Sequence, residues 1–188
     1  MPPIHNLSFQ PNAAHMTTTQ TISAKKQYYT RPMLQTIGWV GLLAGSFDIL
    51  AACTNAYIAR GTSPVVVLQY IASGAFGKAA FAGGWQMPLL GLLFHFIIAY
   101  SFTTLFFLLY PSIKIMSKSI VITAIVYGIF IFVVMSFGVL PLTKIPKITF
   151  QPEKVIISVL ILIVAIGLPL SIFARRFFKH LNTTQYSG

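Results

Sequence analysis

Residues Gly38 to Ile58 read GWVGLLAGSFDILAACTNAYI. The run is long enough to cross a bilayer as a helix, which needs about 20 apolar residues. It carries Asp48 near its middle, and Asp48 and Glu153 are the chain's only carboxylates. A carboxylate at membrane depth is expensive, so it implies a partner or a wet pocket. At helical spacing Gly41, Ala44, Gly45, Asp48, Ala52 and Asn55 share one small and polar face, opposite a bulky one. Small residues four apart, as in Gly41 and Gly45, let a second membrane helix approach closely.

The composition agrees. The 188 residues are 56% hydrophobic and 8% charged, with a mean hydropathy of +0.79, where a soluble domain carries about 25% charged residues. The net charge of +11 comes from cations scattered between apolar runs and at the two ends. That placement suits span orientation and anionic lipid better than nucleic acid. The single cysteine, Cys53, excludes an internal disulfide and a cysteine-built metal site. It closes a Leu50-Ala51-Ala52-Cys53 box of lipoprotein type, but Asp48 interrupts the apolar core that a secretory signal requires.

Outward from this run, residues 1–33 are polar and acid-poor, without apolar period, and predict a disordered N-terminal tail. Residues 34–176 predict a transmembrane domain, and residues 177–188 a basic C-terminal tail. The expected spans are about 37–58, 88–110, 119–140 and 153–174. Between the first two, Ser63 and Pro64 predict a helix start, and residues 64–82 a helix interrupted by Gln69, Ser73 and Lys78. The cations choose between topologies. With four spans, 8 Lys and Arg fall on one side and 5 on the other; with five the split is 7 to 6. The positive-inside rule therefore favours an all-α protein of four transmembrane helices with both termini cytoplasmic, plus one interfacial or re-entrant helix between the first and second spans. Pro169 is expected to bend the last span, and Arg175-Arg176-Phe177-Phe178-Lys179 to form a basic and aromatic anchor.

Several stretches carry a resemblance: GLLAGSFDILAA at Gly41–Ala52, RGTSPVVVLQYIASGAFGKAAFAGG at Arg60–Gly84, LLGLLFHFIIA at Leu89–Ala99, YGIFIFVVMSFGVLPL at Tyr127–Leu142 and GLPLSIFARR at Gly167–Arg176. Together they resemble a family of small bacterial inner-membrane proteins with four hydrophobic segments and no assigned activity, and more distantly the YagU type. The resemblance implies an Asp in the first span, a His in the second and a Pro-Leu exit from the third. It also implies a His in the fourth span, where this chain has Ile, Leu, Val and Ser158.

Asp48 and His95 are the expected polar pair, with Lys78, Arg60 and Asn55 as the other members of a candidate intramembrane polar site. In an antiparallel hairpin their depths differ by about 4–5 Å at 1.5 Å per residue. Gly41 and Gly45 are expected to pack against Gly91, His95 and Ala99. No residue set supports catalysis: the spans hold no second carboxylate and no Ser-His pair. No cofactor or metal is expected. The expected function is a non-enzymatic structural or accessory bundle of the inner membrane that self-associates or binds another membrane protein through the Gly41–Asn55 face. The alternative is a small proton- or cation-coupled transport unit using Asp48 and His95.

Overall fold

In a computed structural model the described residues are 13–113, 116, 118–145 and 152–186. The chain divides into two units, Met1–Thr36 and Ile37–Gly188. Six helices are labelled in order: α1 (Ala13–Arg60), α2 (Pro64–Phe76), α3 (Gln86–Leu109), α4 (Ile120–Val133), α5 (Pro152–Leu162) and α6 (Leu168–Tyr186). A 3₁₀ turn, Gly77–Phe81, follows α2. No strand occurs among the described residues.

In the first unit, α1 begins at Ala13, so the part of the expected tail from there on is helical. Residues 1–12 lie outside the described residues, as do Lys114, Pro146 and Lys147. No glycine interrupts the sequence between Ala13 and Thr36, and the helix passes through Pro32. The Thr36 hydroxyl donates to the Pro32 carbonyl at 2.8 Å. In the expected basic C-terminal tail, α6 continues through residues 177–186.

Among the described residues five helical runs are long and apolar enough to cross a membrane: Pro32–Arg60, Pro64–Phe81, Gln86–Leu109, Ile120–Leu142 and Pro152–Lys179. In the second unit their outer faces are oily. Leu42, Phe47, Leu50, Leu93, Ile97, Val126 and Leu160 are all exposed, a surface suited to lipid rather than water.

The core of this unit is built from close helix crossings. Antiparallel register between α1 and α3 is fixed by two contacts. The Tyr100 hydroxyl donates to the Gly38 carbonyl at 3.1 Å, while Gly45 faces Phe96 and Ala99. The C-terminal end of α1 and the N-terminal end of α3 therefore lie at the same end of the pair. Further along α3, the Tyr127 hydroxyl of α4 donates to the Phe102 carbonyl at 2.5 Å, and its ring meets Phe106 edge-on at 4.6 Å. The next crossing uses glycine on both sides. A Cβ on Gly128 would come within 2.9 Å of the Ile163 Cα, and one on Gly167 within 2.5 Å of the Ala124 carbonyl oxygen. That reciprocal pattern also sets α4 antiparallel to the last helical run.

Two π-helical turns, Val134–Val139 and Ile163–Gly167, precede Pro141 and Pro169 respectively. A proline lacks an N–H, and its ring crowds the carbonyl four residues back. Widening the turn before it relieves that crowding. Where a bend is expected at Pro169, the turn before it is π-helical, and the Gly128–Gly167 crossing falls on that turn.

Candidate functional site

The site is the seam between α1 and α3 around Asp48. Gly41 admits the Tyr100 ring: a Cβ there would come within 2.6 Å of it. Gly45 lies one turn further on, where a Cβ would stand 3.0 Å from Phe96 and 3.1 Å from the Ala99 Cβ. Ala44 is buried, while Asp48, Ala52 and Asn55 are half-buried. The small face of the first span is thus filled by α3 of the same chain. A second copy or another protein would have to use a different surface from Gly41 and Gly45.

Gly91 does not join this seam. It faces α2, whose backbone passes so close that a Cβ on Gly91 would stand 2.8 Å from the Leu68 carbonyl carbon and 3.3 Å from the Ala72 nitrogen. The physical reason is angular. At about 100° per residue, Phe96, Ala99, Tyr100 and Thr103 cluster on one side of α3, and Gly91 and Phe94 on another. Phe94 stacks on Phe76 of α2 with centroids 6.1 Å apart. His95 falls between the two faces, beside both neighbours.

The His95 Nε2 lies 2.9 Å from the Gly45 carbonyl oxygen. A carbonyl only accepts, so Nε2 carries the proton and donates it across the seam. Asp48 is one turn beyond Gly45, and it and His95 are within electrostatic reach of each other. His95 lies roughly 13 Å along α3 from Gln86 at 1.5 Å per residue, in the interior of the apolar run Gln86–Leu109. The other cations considered for Asp48 lie elsewhere. Lys78 is exposed in the 3₁₀ turn, and Arg60 is exposed at the end of α1, where it acts on the Tyr70 hydroxyl.

The segment between α1 and α3 is shaped by three glycines at positive φ: Gly61 at 63°, Gly77 at 60° and Gly84 at 65°. These are left-handed values that other residues adopt only with strain. Ser63 occupies the N-cap position of α2 without a side-chain cap bond, so Pro64 rather than a hydroxyl marks that start. The far end of α2 is held by the Lys144 N–H, which donates to the Gly74 carbonyl at 3.0 Å.

Every buried side-chain N or O atom among the described residues has a hydrogen-bond partner. Among those residues no three His, Cys, Asp or Glu side chains gather as a metal site. Sequence reasoning missed the Tyr100–Gly38 tie and the use of a backbone carbonyl as the His95 acceptor, because a carbonyl leaves no mark in a sequence. No known protein family, curated protein or solved structure matches the chain.

Proposed function

We propose that this protein is a non-enzymatic helical bundle of the bacterial inner membrane, with four spans, in which Asp48 and His95 join α1 to α3. The observation that carries this reading is the 2.9 Å bond from His95 Nε2 to the Gly45 carbonyl. It engages one ring nitrogen in holding two helices together, so that nitrogen relays a proton only if the tie breaks. Interhelical hydrogen bonds of this kind are a recognised source of helix association in membranes. The four-span count is supported by register. Because α1 runs antiparallel to α3, residues 61–85 start and finish at one end of the pair, which suits an interfacial or re-entrant α2. With four spans the cation bias places both termini in the cytoplasm. The Asp in the first span and the His in the second keep the likeness to small four-segment inner-membrane proteins in view.

The placement of Asp48 one turn from the Gly45 carbonyl that receives His95, within electrostatic reach of the ring, favours a second reading, a proton- or cation-coupled transport unit that works as an oligomer. Reconstitution into proteoliposomes separates the two. The structural reading expects no flux driven by a pH gradient. Flux that Asp48→Asn abolishes would establish transport instead. A double-mutant cycle on stability tests the pair itself: Asp48→Asn and His95→Ala should couple by about 0.5–3 kcal/mol. Full additivity would remove His95 as the partner of Asp48.

A further inference from the structure

The last helix carries an inward stripe of Leu170, Ser171 and Ala174, all buried. Phe177 and Phe178 continue it. Phe178 stacks on Tyr110 at 5.1 Å and 10°, and Phe177 meets Phe107 edge-on at 6.1 Å. The two rings expected to anchor the chain in lipid are therefore spent on α3. Turning them inward leaves Arg175 and Arg176 exposed on the other side of the same turn. The Phe178–Tyr110 stack sets this turn of α6 against the end of α3, and Arg175 lies one turn before Phe178. Exposed Lys118 lies at this end as well, because α4 runs antiparallel to the last helical run. Neither carboxylate is near. Asp48 lies in the α1–α3 seam, and Glu153 stands in the first turn of α5, roughly 33 Å from Arg175 along the run. Apolar surface adjoins the cations, for Leu108 and Ile113 are exposed just before and after the end of α3.

We infer that this end of the bundle binds the phosphodiester headgroup of an anionic phospholipid through Arg175 and Arg176, with the acyl chains lying along α3 and α6. A guanidinium presents a planar fork of donors that matches phosphate oxygens. The arginines stand at the boundary where the apolar part of the helix finishes, which is headgroup depth. A lipid supplies both the anion and the apolar tail that this surface takes, whereas a free phosphate supplies only the anion. The inference rests on the membrane reading proposed above.

The test is thermal unfolding of the full chain in nanodiscs of phosphatidylcholine, with and without phosphatidylglycerol. Phosphatidylglycerol should raise Tm by a few degrees, since a ligand of the native state stabilises it. The joint substitution Arg175→Gln and Arg176→Gln should remove that rise while leaving Tm in pure phosphatidylcholine unchanged. Lys144→Gln, at the other end of the bundle, should keep the rise. Equal Tm in both lipids, or a rise that survives the arginine substitutions or vanishes with Lys144→Gln, overturns the inference. A rise reproduced by soluble glycerol phosphate in phosphatidylcholine discs also overturns it, in favour of a free phosphate site. Native mass spectrometry of the unaltered protein gives a readout independent of variant folding: several-fold preferential retention of phosphatidylglycerol is expected, and equal retention refutes it. Release of the chain from membranes by alkaline carbonate would instead defeat the underlying membrane reading.

Discussion

Replacing Gly91 with alanine should damage the protein more than the same change at Gly38, although both glycines lie inside apolar helices. At Gly91 the added Cβ meets backbone. It would stand 2.8 Å from the Leu68 carbonyl carbon, with the carbonyl oxygen closer still, while ordinary contact begins at 3.4 Å. Relief therefore needs α2 to retreat by at least about 0.6 Å, and no rotamer change substitutes for that retreat, because peptide atoms move only with their helix. The retreat also opens the Phe76–Phe94 stack. Overpacking of this kind costs about 1–3 kcal/mol, set against a helix-propensity gain of about 1 kcal/mol for glycine to alanine. At Gly38 nothing lies within 4 Å, so only the gain applies. The two variants should consequently differ by about 1–3 kcal/mol, with Gly91→Ala the less stable. Reversible unfolding in mixed detergent micelles measures this. Equal midpoints for the two variants would refute the α2–α3 crossing at Gly91.

Two further outcomes follow from the same contacts. Tyr127→Phe removes the donor to the Phe102 carbonyl and should cost about 0.5–1.5 kcal/mol, the net worth of a typical internal hydrogen bond; an unchanged midpoint in the same assay would show that the bond contributes nothing. Cysteines placed at Lys118 and Lys144, in a Cys53→Ser background, should label from opposite sides of the membrane, and one at Arg60 should label with Lys144. Labelling of Lys118 and Lys144 from one side would defeat α4 as a membrane crossing, and labelling of Arg60 with Lys118 would make α2 a full span.

The helical, membrane-compatible character was legible because it depends on long apolar runs, and each expected span overlaps an observed candidate run within a few residues. The count of spans was less legible. Pro64–Phe81 has the length and mean hydropathy, 1.2, of a weak span, and composition alone does not tell a short crossing from a dip that returns. What supports the four-span proposal is register, because Gly38 with Tyr100 and Gly45 with Ala99 bring α1 and α3 together in opposite directions. Helix ends were poorly legible. Polar, acid-poor composition suggested a disordered N-terminal tail, yet α1 begins at Ala13, and at the other end α6 runs on to Tyr186; polarity by itself does not interrupt a helix.

The polar seam shows how far a periodicity argument reaches. Gly91, His95 and Ala99 are four residues apart, which suggested a single face. Each such step advances the helix by about 400°, so the set drifts by 40° per step. Over two steps the drift is about 80°, enough to put Gly91 against α2 and Ala99 against α1. His95, midway, stands at the junction of the two faces. A residue there is held by whichever neighbour offers an acceptor, and the Gly45 carbonyl is within 2.9 Å of Nε2. The small residue that lets α3 approach α1 is therefore also the one whose carbonyl receives the histidine. Bulk at position 45 would act twice, by pushing against Phe96 and Ala99 and by lengthening the His95 bond that accompanies Asp48.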